Sequence, residues 1–268
     1  MASESITKTI GVVVAICFVA AIFVSSAAVG LKPRQEENKK IDLLKNILIA
    51  GDLYDSDATN VSETFESKII GDIIDLETGL VLPESNYDEI VNLEEFDIKA
   101  VAGSEKHGKA IDAAKDIASI QRMPKQVAIY KVNSEEGIEK YILPIYGKGL
   151  WSTMYGFIAL DKDLHTIKGF TFYEHGETPG LGGEVDNPKW KSQWVGKQAF
   201  DENWNLKIEV LKGLVDLTSD KAKYQIDGLS GSTLTSRGVS NLVKFWLGAE
   251  GYEPFITKLR TEGSNEKI

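Results

Sequence analysis

Five hydroxyl side chains crowd the ten residues Asp227–Ser236, DGLSGSTLTS: Ser230, Ser232, Thr233, Thr235 and Ser236, with Asp227, Gly228 and Gly231 among them. A serine or threonine acts as a nucleophile when a neighbouring base takes its proton. The chain holds only three histidines and one cysteine, so few groups are available to activate a hydroxyl here. A second use needs no activation. The run KYQID before the cluster has strand character and SRGVSNLVKFW after it has helical character, so the hydroxyls fall on a strand-to-helix turn. Backbone N–H groups at a helix start are unpaired and the helix dipole favours negative charge there, so such a turn attracts phosphate. The two glycines permit tight geometry and leave room for a bulky group. The same side chains also serve as helix caps, for which serine and threonine are preferred. On this segment alone both uses stay open. The spacing is not that of a P-loop, GxxxxGK[ST].

A second stretch, EHGETPGLGGEVDNPKWKSQWVGK from Glu174 to Lys197, offers a ligand wall rather than a reactive group. Four glycines, Gly182 among them, and one proline in GETPGLGG make a turn whose amides can approach a planar ligand closely. Glu177 and Thr178 supply hydrogen-bonding groups there, and Leu181 supplies an apolar face. Trp190 and Trp194 are expected to pack a core. His107, His165 and His175 share no metal-binding spacing, so no metal is expected. No GxGxxG stands in a strand–turn–helix context, so no NADH site is expected on this chain.

The elements that must hold these stretches are short and β-rich. QVAIYKV, EKYILPIYG, YGFIALD, TIKGFTFYE, LKIEVLKG and KYQID are runs of Val, Ile, Tyr and Phe separated by glycine or charge. In the helix after the hydroxyls, Val239, Leu242, Val243, Trp246 and Leu247 share one face. A short helix with a frayed tail is expected over EPFITKLRTEGSNEKI. Upstream, ETFESKIIGDII is expected to be helical and the acidic stretch from Glu84 to Asp97 to be solvated and partly irregular. The expected class is α+β, with an antiparallel sheet and flanking helices in one domain, because no linker divides residues 36–268.

Of 268 residues, 30 are basic and 40 acidic, for a net charge of −10, which argues against nucleic acid as a partner. The one cysteine, Cys17, lies in an uncharged run of 23 residues, Thr9 to Leu31, so the rest of the chain has no disulfide or thiolate site. About 20 apolar residues span a bilayer, whereas the apolar core of a cleaved signal is about 7–15. A retained single transmembrane helix is expected at 9–31. It leaves a tail at 1–8, a helical collar and the start of the soluble domain at 32–124, and the β-rich domain at 125–268. Apolar Ile41, Leu44, Ile47 and Leu48 line one side of the collar helix, and Gly51 could end it. Lys32, Arg34, Lys39 and Lys40 follow the span and only Lys8 precedes it, so charge counting favours a cytoplasmic C-terminal part. Long domains often cross regardless, and the physics leaves orientation open.

DGLSGSTLTS resembles the flavinylation motif Asp-Gly-x-Ser/Thr-Gly-Ala-Thr-x-Ser/Thr, on which a dedicated flavin transferase joins FMN to threonine through a phosphoester. The resemblance makes Thr233 the acceptor and Asp227, Gly228, Ser230 and Gly231 its recognition frame. Ser232 stands where that motif has alanine. ETPGLGG with NPKWKSQWVGK is similar to the flavin loop of the NqrC family, which belongs to the Na+-translocating NADH:quinone oxidoreductases. PIYGKGLWSTMYGFIAL, from Pro144 to Leu160, matches the same family, with Leu150 and Trp151 on a third side of the pocket. Lys212 falls where the family has a lysine near the flavin; a surface lysine is the other reading. These segments and the anchor occur in the family's order over nearly the whole chain. The related flavinylated protein of RNF-type electron transport complexes shares the anchor and the motifs, but it lacks much of the region of residues 40–100 and NPKWKSQWVGK.

The family implies an FMN-binding domain with one covalent FMN and an electron-relay role from NADH toward ubiquinone in a sodium-translocating complex. It implies the other subunits and the transferase as partners. It places the protein in the bacterial inner membrane with the C-terminal domain in the periplasm, against the charge count. The alternatives are the RNF protein or a membrane-tethered, non-redox domain that binds its ligand reversibly.

Overall fold

The computed structural model describes residues 6–56 and 59–265; the first five residues of the expected tail, residues 57–58 and the last three lie outside the described residues. Two units are distinguished, Met1–Leu43 and Leu44–Ile268. Anchor and collar form one continuous helix, α1 (Ile6–Ala50), which passes through Pro33 instead of breaking there. This helix is long and apolar enough to cross a membrane, and none of its apolar window is buried. At 1.5 Å per residue, the expected span at 9–31 reaches about 35 Å, against a hydrocarbon core of about 30 Å.

In the second unit α2 (Val61–Lys68) leads directly into β1 (Ile69–Asp75). ETFESKIIGDII is therefore half helix and half strand, not a single helix. The expectation failed because helix and strand meet directly at Lys68–Ile69, with no glycine or proline there to mark the change. The acidic stretch is irregular apart from one 3₁₀ turn at Glu84–Asn86. Then come α3 (Ile98–Gly103), the small antiparallel pair β2 (Gly108–Ala110) and β3 (Arg122–Pro124), and four long strands: β4 (Gln126–Ser134), β5 (Gly137–Lys148), β6 (Thr153–Asp161) and β7 (Ile167–Glu174). The main sheet has the order β1-β4-β5-β6-β7, antiparallel throughout. Short α4 (Pro188–Ser192) follows the glycine loop. LKIEVLKG and KYQID shrink to β8 (Glu209–Val210) and β9 (Gln225–Ile226), two residues each and paired in parallel. The chain ends in α5 (Thr233–Leu247) and α6 (Glu253–Asn265).

Successive strand residues face opposite ways, so the sheet has two buried surfaces. One receives α5: Val239, Leu242 and Trp246 are fully or nearly fully buried with Leu143 and Ile145, and Gly147 lies against the Leu242 Cβ. The other receives residues 47–51, where Gly51 lies against Ile142 and Val132 and Gly169 against the Ala50 carbonyl. Both faces of β5 and β6 are covered, and the turn joining them, 149–152, lies beside the hydroxyl cluster.

Candidate functional site

The cluster occupies the strand-to-helix turn that the sequence predicts, between β9 and α5. Thr233 is the first residue of α5 and Ser232 its N-cap, yet the Ser232 hydroxyl makes no capping hydrogen bond. The first intrahelical bond runs from Ser236 N to the Ser232 carbonyl, 3.0 Å. The earlier N–H groups of a helix have no partner within it. Capping therefore does not explain the hydroxyl at the cap position. Two of the five hydroxyls bind inward. Ser236 Oγ accepts from Leu229 N at 2.9 Å and donates to the Ser232 carbonyl at 3.1 Å. Thr235 Oγ1 donates to Glu177 Oε2 at 2.6 Å. Ser232 is buried, Thr233 half-buried and Ser230 exposed. Gly231, at φ 71°, turns the chain into the helix, and a Cβ built on it would lie 3.2 Å from the Leu181 side chain.

Glu177 joins the three stretches. Its Oε1 accepts from Trp151 N at 2.9 Å and Ser152 N at 3.3 Å, and its Oε2 accepts from Thr235. The residue is only 5% exposed. Burial pushes the carboxyl pKa up; the Thr235 hydroxyl and the N–H groups of Trp151, Ser152 and Leu150 outweigh that and hold it below its ordinary value. Gly182 fits between the partners: a Cβ there would lie 2.6 Å from Thr235 Oγ1 and 2.7 Å from Glu177 Oε2. His175 fixes the loop from behind, its Nδ1 accepting from Glu177 N at 3.2 Å and its Nε2 donating to Asp186 at 2.7 Å. The Asp186 carboxylate raises the imidazole pKa, burial opposes this, and the charges of Asp186 and Glu177 add to the rise. Gly176 N donates to Ser152 Oγ at 2.6 Å, a second tie to the turn.

The recognition frame is tied to its surroundings. Asp227 Oδ1 accepts from Val215 N at 2.7 Å, its N donates to Gln193 Oε1 at 3.0 Å and its carbonyl accepts from Trp190 Nε1 at 2.8 Å. Gly228 N donates to the Gly213 carbonyl, and the Lys212 backbone lies against Gly228 while the Lys212 side chain is exposed. Thr178 is exposed and uses its carbonyl to accept from Leu181 N and Gly183 N. Trp190 and Trp194 pack the core as expected, Trp194 stacking on Phe170 at 3.9 Å and 5°. Sequence reasoning missed the partners of Glu177 and Asp227, above all Thr235 and Gln193. The signals available were that Thr235 stands inside the hydroxyl run and at the last Ser/Thr of the motif that the run resembles.

The structure thus brings 149–152, 176–183 and 227–235 together and leaves the Lys212 side chain at the edge. On these segments Leu150, Trp151, Leu181 and Leu234 are 41%, 67%, 45% and 51% exposed, apolar surface on the three stretches around a helix start whose first N–H groups have no partner within the helix. A group with a flat apolar face and a phosphate tail fits this donor set: the apolar surface suits the ring and the N–H groups of α5 suit the phosphate. Among the described residues no three His, Cys, Asp or Glu side chains gather as they would around a metal ion.

Comparison with known proteins gives concordant findings. Residues 149–248 match the family described as "FMN-binding domain". The chain is 44% identical over 259 residues to the NqrC protein of the Na(+)-translocating NADH-quinone reductase of Pseudomonas aeruginosa, covering 96% of this chain and 97% of that protein. It is 42% identical to the Yersinia pestis protein of the same name, covering 96% and 94%. The crystal structure of Shewanella oneidensis NqrC superposes with a TM-score of 0.75 at 34% identity, over 84% of this chain and 99% of that one.

Proposed function

Because the chain belongs to the NqrC family of the Na+-translocating NADH-quinone reductases, and is a subunit of that enzyme with an FMN-binding domain, we propose that it carries one FMN covalently on Thr233 and relays electrons within the complex. The observation that carries this reading is the state of the Thr233 hydroxyl. It stands half-buried at the first residue of a 15-residue helix whose cap side chain makes no capping bond, while Thr235 and Ser236 beside it are committed inward. A phosphoryl group on Thr233 Oγ1 lies where the unpaired N–H groups and the dipole of α5 favour its charge.

Bound there, the flavin supplies one- and two-electron transfer, and the protein supplies its position and electrostatic surroundings. Leu150, Trp151, Leu181 and Leu234 would hold its apolar face, and Thr178 and Lys212 would supply polar groups to it. Asp227 fixes the turn for the transferase that makes the ester, and Gly228 and Gly231 leave that enzyme room. Ser230 and Ser232 complete the motif. The other subunits receive and supply the electrons. The C-terminal domain faces the periplasm, with α1 anchoring it in the inner membrane.

The test is in-gel flavin fluorescence after denaturing electrophoresis of protein made together with a flavin transferase. We expect a fluorescent wild-type band and a dark Thr233→Ala band, with the variant still folded. Full fluorescence in Thr233→Ala would remove the site assignment. A dark wild type would leave a reversible FMN-binding domain in its place.

A further inference from the structure

We propose that Thr235, two residues past the acceptor at the last Ser/Thr of the motif, is a positioning residue: its hydroxyl proton holds Glu177 and so clamps the first turn of α5 to the 149–152 turn and the 176–183 loop. The effect on the flavin rests on the attachment reading above, while the clamp itself does not. Thr235 is wholly buried and its hydroxyl lies 2.6 Å from Glu177 Oε2. An ionised carboxylate only accepts, so the threonine must donate.

The arrangement accounts for two otherwise separate features. Helix α5 lacks a cap bond from Ser232, and the negative charge that a helix start favours arrives instead from Glu177, 58 residues away in sequence, through Thr235. Gly182 packs against the pair so closely that a Cβ on it would meet both Thr235 Oγ1 and Glu177 Oε2. Without that donor one oxygen of Glu177 is stranded in a buried site. The carboxylate must then turn or take up a proton, and either change loosens its hold on Trp151 N and Ser152 N. The 149–152 turn presents Leu150 and Trp151, and the first turn of α5 presents Thr233. A slack clamp therefore moves the ring's wall relative to its anchor.

The test uses full-length protein and two readouts. Thr235→Val keeps the shape and removes the donor; Thr235→Ser keeps the donor; Thr235→Ala is a second donor-free variant in case valine prevents folding. Amide hydrogen exchange across 148–154 needs no flavin. It should quicken by about tenfold or more in the valine and alanine variants, as expected for losing a hydrogen bond to a charged group, and stay near wild type in serine. In flavin-loaded protein the absorption spectrum and reduction potential should shift in valine and alanine and return to wild type in serine. Wild-type exchange in both donor-free variants, or a serine variant as loose as alanine, would overturn the proposal. If the wild type proves to carry no covalent flavin, exchange still decides the clamp, and only the attachment reading fails.

Discussion

Gly182→Ala should damage the site without touching any hydrogen-bonding group. A methyl at this position would lie 2.6 Å from Thr235 Oγ1, 2.7 Å from Glu177 Oε2 and 3.0 Å from Glu177 Cβ. Carbon contacts settle near about 3.5–4.0 Å, so something must move. The cheapest relief is rotation of Thr235 or Glu177, which breaks the bond between them. That bond involves a charged group, worth about 1.5–3 kcal/mol, and leaving the core strained instead costs about 1–3 kcal/mol. These are alternative routes and do not add; the cheaper one sets the loss, about 1–3 kcal/mol. For a domain of this size that lowers the melting midpoint by roughly 2–12 °C. The control is Gly180→Ala in the same loop. Gly180 has φ 75° and open space around its Cβ position, so alanine there meets only backbone strain of about 1–2 kcal/mol. Thermal melts of the three proteins in detergent, followed by tryptophan fluorescence, decide it. A Gly182→Ala protein that melts with wild type would refute the steric argument.

Two further perturbations probe the same node. The Glu177 pKa is depressed in the folded state, so its contribution to stability is present above the ordinary value of 4.5 and is lost as pH falls through the folded value. Melting midpoints between about pH 3 and 6 should fall more steeply in wild type than in Glu177→Gln, and parallel curves would show that Glu177 is not the titrating group. Ser236→Ala removes the acceptor of Leu229 N and leaves that buried N–H unpaired, at a cost of about 1–3 kcal/mol. Urea unfolding should show the lower midpoint, and an unchanged one would mean that the turn re-pairs this amide.

The strands that flank the site were legible because their patterns are local. From β4 to β7 the sequence shows runs of β-branched and aromatic residues ended by charge or glycine, and the strands lie where those runs are. β1 was hidden because IIGDII follows the helical segment directly, with its one glycine inside the strand and not at the junction. β8 and β9 are two residues each and exist through their mutual pairing, a contact between distant segments that no local pattern encodes. The site divides the same way. DGLSGSTLTS and GETPGLGG announce themselves by composition. The carboxylate that joins them does not, because its partners are 25 to 58 residues away. A glutamate in a glycine-rich turn looks like a ligand contact, and only the packed structure shows that its oxygens also accept from Trp151, Ser152 and Thr235.

On the attachment reading proposed above, the same division of labour accounts for Ser232 in place of the motif's alanine. An acceptor hydroxyl has to be reached by a transferase, and burial sorts the five candidates. Thr235 and Ser236 are 0% and 1% exposed and are spent on Glu177, Leu229 and the Ser232 carbonyl. Ser232 is 5% exposed, close to the burial that an alanine methyl would have, so the extra oxygen gives no accessible rival. That leaves Ser230 and Thr233. Ser230 is the more exposed, but it precedes the positive-φ turn at Gly231 and lies outside the helix. Thr233 opens the helix, where an attached phosphoryl group meets unpaired N–H groups instead of bulk water. Accessibility narrows the choice to two hydroxyls, and the electrostatics of the helix start favours Thr233.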